Sequence, residues 1–180
     1  MGALGAALVE MTANLTLGRP RLADVQEQAK SIQQRAAELR KNLERLGDAD
    51  AEAFDHVGAA YKLPRGDDAQ KAERAKAVQA ALKLAADVPL ETARVAAQVI
   101  ALAEEAAPIL NPAVISDVLV GALLAQSAIS GAALNVEINL AAMTDAESKR
   151  HYSDELARAR EGIGAAVERI LASGRSRFGR

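Results

Sequence analysis

The chain has no cysteine and no tryptophan, and its 180 residues include only two tyrosines and two phenylalanines. Without cysteine there is no disulfide framework, no thiolate-held zinc or iron–sulfur cluster and no thiol nucleophile. Strands favour β-branched and aromatic residues, and both are scarce: Val and Ile together number 20, against 42 alanines and 21 leucines. Ala and Leu favour helix, so the composition reads as an all-α protein with a small-residue core. An excess of positive charge is also missing. The net charge is -2 and the pI about 5.8, which argues against a dedicated nucleic-acid binder. Half of the chain is hydrophobic, enough at that charge to bury a core rather than stay disordered. Its length suits one domain, 1–180.

The basic region of a signal peptide is absent as well. The start is apolar, but Glu10 interrupts it, so no targeting segment and a cytoplasmic location are expected. Val118 to Val136 carries no charge and is long enough to span a bilayer. It contains Gln126, Ser127, Ser130 and Asn135, and it lacks flanking Lys, Arg, Trp or Tyr. Gly121, Ala125, Ala128 and Ala132 form a stripe that lets another backbone come close. This segment reads as the long central buried helix of a soluble bundle, with no membrane partner.

Proline and glycine divide the chain into a helical bundle of about six helices. The first is expected over Gly2–Leu17. The second starts near Arg21 with an apolar seam at Val25, Ala29, Ile32, Ala36, Leu39, Leu43 and Leu46, until Gly47 ends or kinks it. From Asp48 to Lys62 a helix returns, with Ala53, Val57 and Ala60 on one stripe and Asp50, Phe54 and Tyr61 on another. After the loop 63–67, a helix runs to Asp87 with Ala72, Ala75, Val78 and Leu82 inward; Pro89 kinks it or starts a new one to Ala107. The central helix follows over Ala113–Ala142. Thr144 and Glu147 have the capping-box spacing for a last helix ending near Ser173, and 174–180 reads as a frayed tail. The small-residue stripe and the surplus of apolar surface suggest a homodimer.

Chemistry-bearing residues are few. Neither His56 nor His151 follows a Glu by three residues, so the Glu-x-x-His metal pairs of di-iron bundles are absent and no metal site is expected. No phosphate-binding glycine loop or nucleophile elbow appears. What stands out is polar residues inside apolar helices: Asn14, Asp117, Asn135 and Asn139, and the acidic cluster Asp48, Asp50, Glu52 and Asp55. Two readings are open at this point. The amides satisfy helix ends and the acids mark an exposed helix N-terminus; or Asp and Asn line a polar pocket between helices.

Four segments, in order, resemble the formiminotetrahydrofolate cyclodeaminase and methenyltetrahydrofolate cyclohydrolase family. They are GALGAALVEMTANLTLG, DADAEAFDHVGAAYKLPR, VPLETA and NPAVISDVLVGALLAQSAISGAALNVEINLAAM, and the likeness covers about residues 2–172. Members carry a Pro-Gly-Gly-Gly-Ser stretch before the first helix that looks like part of the site; Met1-Gly2-Ala3 falls inside the equivalent region. The resemblance implies a dimeric bundle that binds a tetrahydrofolate derivative, polyglutamylated forms included, as substrate at the subunit interface, with no bound cofactor. It implies that Asp50 is the catalytic acid/base, its pKa raised by partial burial. From motif position and chemistry, Asn14, Asp117, Asn135 and Asn139 are expected to hydrogen-bond the substrate. Lys62 and Arg65, or Arg19 and Arg21, are expected to meet its glutamate tail. A catalytically silent folate-binding or helical interaction protein of the same fold is the second reading, motivated by the glycine segment.

Overall fold

The computed structural model describes residues 1–179 and holds six α-helices, with no strand among the described residues. They are α1 (Gly2–Asn14), α2 (Gln26–Tyr61), α3 (Asp68–Ala106), α4 (Ile115–Ala142), α5 (Ala146–Arg160) and α6 (Ile163–Arg175). Short 3-10 turns at Pro20–Val25 and Pro112–Val114 lead into α2 and α4. The all-α bundle of about six helices is what composition and punctuation imply.

The first four helices form a square with α1 and α3 on one diagonal and α2 and α4 on the other. Each packs on its two neighbours. Directions alternate: Gly2 lies against Ala128 and Leu43, Gly5 against Gly121, and Glu10 pairs with Arg40 at 2.8 Å. α5 and α6 cover α3 and α4. The seam of α2 is buried from Ala29 through Leu46, and Ala53 and Ala60 continue it. The small-residue stripe of α4 works as its spacing suggests. A Cβ on Gly5 would stand 2.6 Å from the Gly121 carbonyl oxygen, so the two backbones touch.

α4 is central but only one face is covered. Ala122, Ala125, Ile129, Ala133 and Val136 are buried, whereas Val120, Leu123, Leu134 and Ile138 are exposed. With its lead-in, residues 112–142, it is the one helix among those described that is long and apolar enough to cross a bilayer, at a mean hydropathy of 1.7.

Several boundaries differ from the sequence reading, each for a local reason. α2 runs through Gly47 without a break. A helical glycine costs only about 1 kcal/mol, and the buried seam on both sides outweighs it. The acids at 48–55 are therefore mid-helix and not an N-terminus. Pro89 sits inside an unbroken α3, whose first turns are exposed, so Ala72 and Ala75 are outside the core and burial starts at Val78. The last helix is two: Gly162 takes a left-handed φ of 71° between α5 and α6. Asp145, not Thr144, caps α5, accepting from the Glu147 N–H at 3.1 Å; Gln79 takes Thr144 instead. In the segment expected to fray, Gly174 and Arg175 belong to α6 and Arg177 donates to the Ala107 carbonyl at 2.7 Å. Arg180 lies outside the described residues.

Candidate active site

α1 starts beside the middle of α4, so it fills one corner of the square along only half its height. Above Gly2 the corner between α2 and α4 is open, with α3 as its floor. Two adjoining hollows occupy it. One of about 260 Å³ runs from Met1 past Asp50, Pro89, Thr92 and Ser127; the other, of about 350 Å³, is lined by Asp50, Phe54, Val57, Ala85, Asn135, Ile138 and Asn139. They share Asp50 and Asn135. A mostly apolar recess with a few convergent polar groups is the usual form of a small-molecule site.

Helical spacing builds each wall. Gly47, Asp50, Phe54 and Val57 recur at three and four residues on α2, so one face carries the carboxylate and the aromatic ring. Asn135, Ile138 and Asn139 do the same on α4. Gly47 leaves the wall open beside Asp50, since a Cβ there would meet nothing within 4 Å. Asp50 is exposed in the single chain and has no hydrogen-bond partner among the described residues, rather than being partly buried as expected. Asn135 is also exposed, with no partner for its side-chain amide among the described residues. Asn139 is half-buried: its Nδ2 donates to the Ala85 carbonyl at 2.9 Å and to the Asn135 carbonyl at 2.8 Å.

The remaining expected site residues lie elsewhere. Asp117 precedes Asn135 by 18 residues on one helix, which is about 27 Å of axial rise. Asn14 is exposed at the end of α1 that points away from the cleft. One chain therefore brings neither to Asp50; sequence position alone could not show this, because α1 runs antiparallel to α4. Lys62 and Arg65 are exposed beyond the cleft's upper end without ion-pair partners among the described residues, Lys62 about 18 Å past Asp50 along α2. Arg19 is at the lower end, its Nε donating to the Leu15 carbonyl at 2.6 Å.

Sequence reasoning missed Thr92 as a cleft residue and saw Pro89 only as a kink or a helix start. Both line the cleft, one helical turn apart, and that spacing was the available signal. It also missed the polar lock at the lower end. Thr16 Oγ1 donates to the Thr12 carbonyl at 2.8 Å and accepts from the Asn111 N–H at 2.9 Å; Asn111 Nδ2 donates to the Leu15 carbonyl at 3.0 Å.

The shifted titrations lie outside the cleft, in ion pairs between helices such as Arg35 with Glu105 and in the fastening of α5. Asp145 is held down to about 2, chiefly by the Ser148 hydroxyl and then by the Lys83 ammonium. Burial, then its bond to Asp87, pushes the Tyr152 phenol well up. Arg94, bonded to Glu155, holds that carboxyl below its ordinary value.

Comparison with known proteins places the chain in a family. The formiminotransferase-cyclodeaminase family model matches residues 1–158. A methenyltetrahydrofolate cyclohydrolase of Methylorubrum extorquens is 41% identical over 180 residues, covering 98% of this chain and 85% of that protein. The formimidoyltransferase-cyclodeaminase of Rattus norvegicus is 33% identical over 159 residues, and there the match spans only 29% of the relative's length. A crystal structure of formiminotetrahydrofolate cyclodeaminase from Thermotoga maritima superposes with a TM-score of 0.84 at 30% identity, over 97% of this chain and 83% of that one. The chain belongs to the formiminotransferase-cyclodeaminase family.

Proposed function

We propose that the chain is a folate one-carbon enzyme, a methenyltetrahydrofolate cyclohydrolase, with Asp50 as its acid/base. The observation that carries this is the 41% identity with the Methylorubrum cyclohydrolase over nearly the whole of both chains. The open corner supports it, because it offers an unpartnered carboxylate between apolar walls. Asp50 takes a proton from water as the oxygen bonds to the methenyl carbon. A tetrahedral centre forms. Its carbon–nitrogen bond then breaks as Asp50 returns the proton to the departing ring nitrogen, the hydroxyl proton leaves to solvent, and the carbon remains as a formyl group on the other nitrogen. The folate is substrate, and these steps call on no further cofactor. Asn135 and Asn139 meet the pterin edge. Lys62 and Arg65 suit the anionic tail of a folate, including a polyglutamate, since an extended molecule lying along α2 reaches them. A cyclodeaminase is the second reading, favoured by the superposition on the Thermotoga enzyme. There one folate nitrogen attacks the formimino carbon and the same carboxyl protonates the departing ammonia. Absorbance of the methenyl group tests both. Its loss on adding protein to 5,10-methenyltetrahydrofolate supports the first reading, and its growth from 5-formiminotetrahydrofolate with ammonia release supports the second. Absence of both changes overturns the enzyme assignment.

We also infer that the chain works as a homodimer. The open face of α4 reads large–large–small–small–large–large: Val120, Leu123, Ser127, Ser130, Leu134, Ile138. Turned end for end, the pattern maps onto itself about a point near residue 129, which suits an isologous two-fold contact. Exposure of Leu134 at 66% and of Ile138 at 71% supports a missing cover. Such pairing brings the partner's α4 N-terminal half over the cleft, which would complete the site around Asp50. Light scattering at micromolar concentration is expected to give a dimer for the wild type and a folded monomer for Leu134→Asp. A monomeric wild type overturns the inference.

A further inference from the structure

α3 carries a proline near its middle and stays helical through it. Pro89 has no amide hydrogen, so the Ala85 carbonyl one turn back loses the N–H that would normally bond it, and the ring pushes that carbonyl aside. Ala85 is buried, so its carbonyl needs another donor. Asn139 from α4 supplies it. An amide nitrogen has two hydrogens, and both are committed here, one to the Ala85 carbonyl and one to the Asn135 carbonyl. Oδ1 has no partner among the described residues, and Asn139 lines the cleft beside Asp50. An unanchored asparagine can turn over and offer either end to a ligand. This one cannot turn over without leaving a buried carbonyl unbonded.

We propose that Pro89 is a positioning residue of the cleft: by orphaning the Ala85 carbonyl it pins the Asn139 amide and so fixes Oδ1 as an acceptor for an N–H group of the ligand. The inference rests on the folate reading only for the identity of that ligand, whose pterin carries a ring N–H and an exocyclic amine. Asn135 has no such anchor for its side chain and adapts to either kind of partner.

Pro89→Ala returns an N–H to the Ala85 carbonyl and releases Asn139. Melting curves of Pro89→Ala, Asn139→Ala and the double variant read the pin without any ligand. Asn139→Ala is expected to lower Tm by about 2 to 10 °C in the wild-type background, and by less than half as much beside Ala at 89. Steady-state assays on 5,10-methenyltetrahydrofolate read the acceptor. Pro89→Ala is expected to raise KM about 3- to 10-fold with kcat changed far less, because a fixed acceptor binds ground and transition state alike. Asn139→Asp, which keeps an acceptor but has no N–H for Ala85, is expected to recover KM only when combined with Pro89→Ala. A proline of merely structural importance would move Tm and leave KM alone. Additive melting shifts, or a Pro89→Ala KM within twofold of wild type, overturn the proposal. If the wild type turns over neither folate, the functional reading fails, and the melting cycle alone decides whether the pin exists.

Discussion

The two halves of the helical square use the same three long helices and end up with opposite character. In the lower half α1 fills the fourth corner. Backbones meet at Gly5 and Gly121, and the buried polar groups of Thr12, Thr16 and Asn111 bond one another or nearby carbonyls. In the upper half the corner is open. Asp50 and Asn135 face it without partners, and Phe54 and Ile138 stand 76% and 71% exposed. A satisfied polar group in a filled corner is structure, while an unsatisfied one in an apolar corner is available for chemistry. The difference separates the packed half from the half proposed as the site, and substitutions in each half are expected to move different observables.

The largest effect belongs to the open half. Asp50→Asn keeps size and polarity but cannot move a proton. Turnover is expected to fall about 100- to 10,000-fold, the range general acid–base catalysis supplies. Melting should hardly change, since the side chain is exposed and bonded to nothing. Asp48, two residues earlier and outside the cleft, is the control, and Asp48→Asn should turn over as wild type. An Asp50→Asn enzyme within threefold of wild type, or a crippled Asp48→Asn, would erase the proposed division of labour.

A pair of identical substitutions probes the comparison from the side of packing. Gly5→Ala drives a methyl group to 2.6 Å from a main-chain oxygen that cannot move aside. Overpacking of this kind costs about 1 to 3 kcal/mol, more than the roughly 1 kcal/mol that alanine gains in a helix. Gly47→Ala puts the same methyl group into open space and keeps the helical gain. The expected outcome is a lower Tm for the first and a Tm about 2 to 4 °C higher for the second, read by calorimetry. Equal signs would mean that the close contact of α1 with α4 does not constrain the bundle.

These contrasts also mark what the sequence could convey. The seam Ala29 to Leu46 and the stripe Gly121 to Ala132 were legible because burial on a helix repeats every three to four residues. Asp50, Asn135 and Asn139 were legible as polar interruptions, with the family resemblance singling out Asp50. The helix ends offered at Gly47 and Pro89 do not occur, because local helix breakers yield to a long buried seam, and nothing local says when. Asp117 and Asn14 share the chemistry of the cleft residues, but within one chain the helices hold them away from Asp50. Which end of a helix faces which is a property of the antiparallel square, invisible in spacing. The pin between Pro89 and Asn139 joins residues 50 apart in sequence. No periodicity could reveal it.

The smallest effect sharpens the comparison at low pH. The lock of Thr16 and Asn111 at the lower end contains no titrating group. At the upper end α5 is fastened by a carboxylate: Asp145 caps the helix, accepts from Ser148 at 2.5 Å and pairs with Lys83 at 3.0 Å. Its pKa is held down to about 2 from 3.8. A group whose folded pKa lies below its unfolded one stabilises the fold above the unfolded value, and that contribution disappears as pH falls through the folded value. The window is therefore about pH 4 to 2. Asp145 is exposed, so solvent screens the pair and the loss is modest. Hydrogen exchange should show the α5 N-terminus and the facing turn of α3 around Lys83 opening across that window, while Thr16 and the Asn111 turn keep their protection. Asp145→Asn retains a capping oxygen but not the charge. It should remove the pH dependence at this corner, leaving it weaker than wild type above the window and level with wild type below it. Simultaneous loss of protection at both ends would mean that the two halves unfold as one unit.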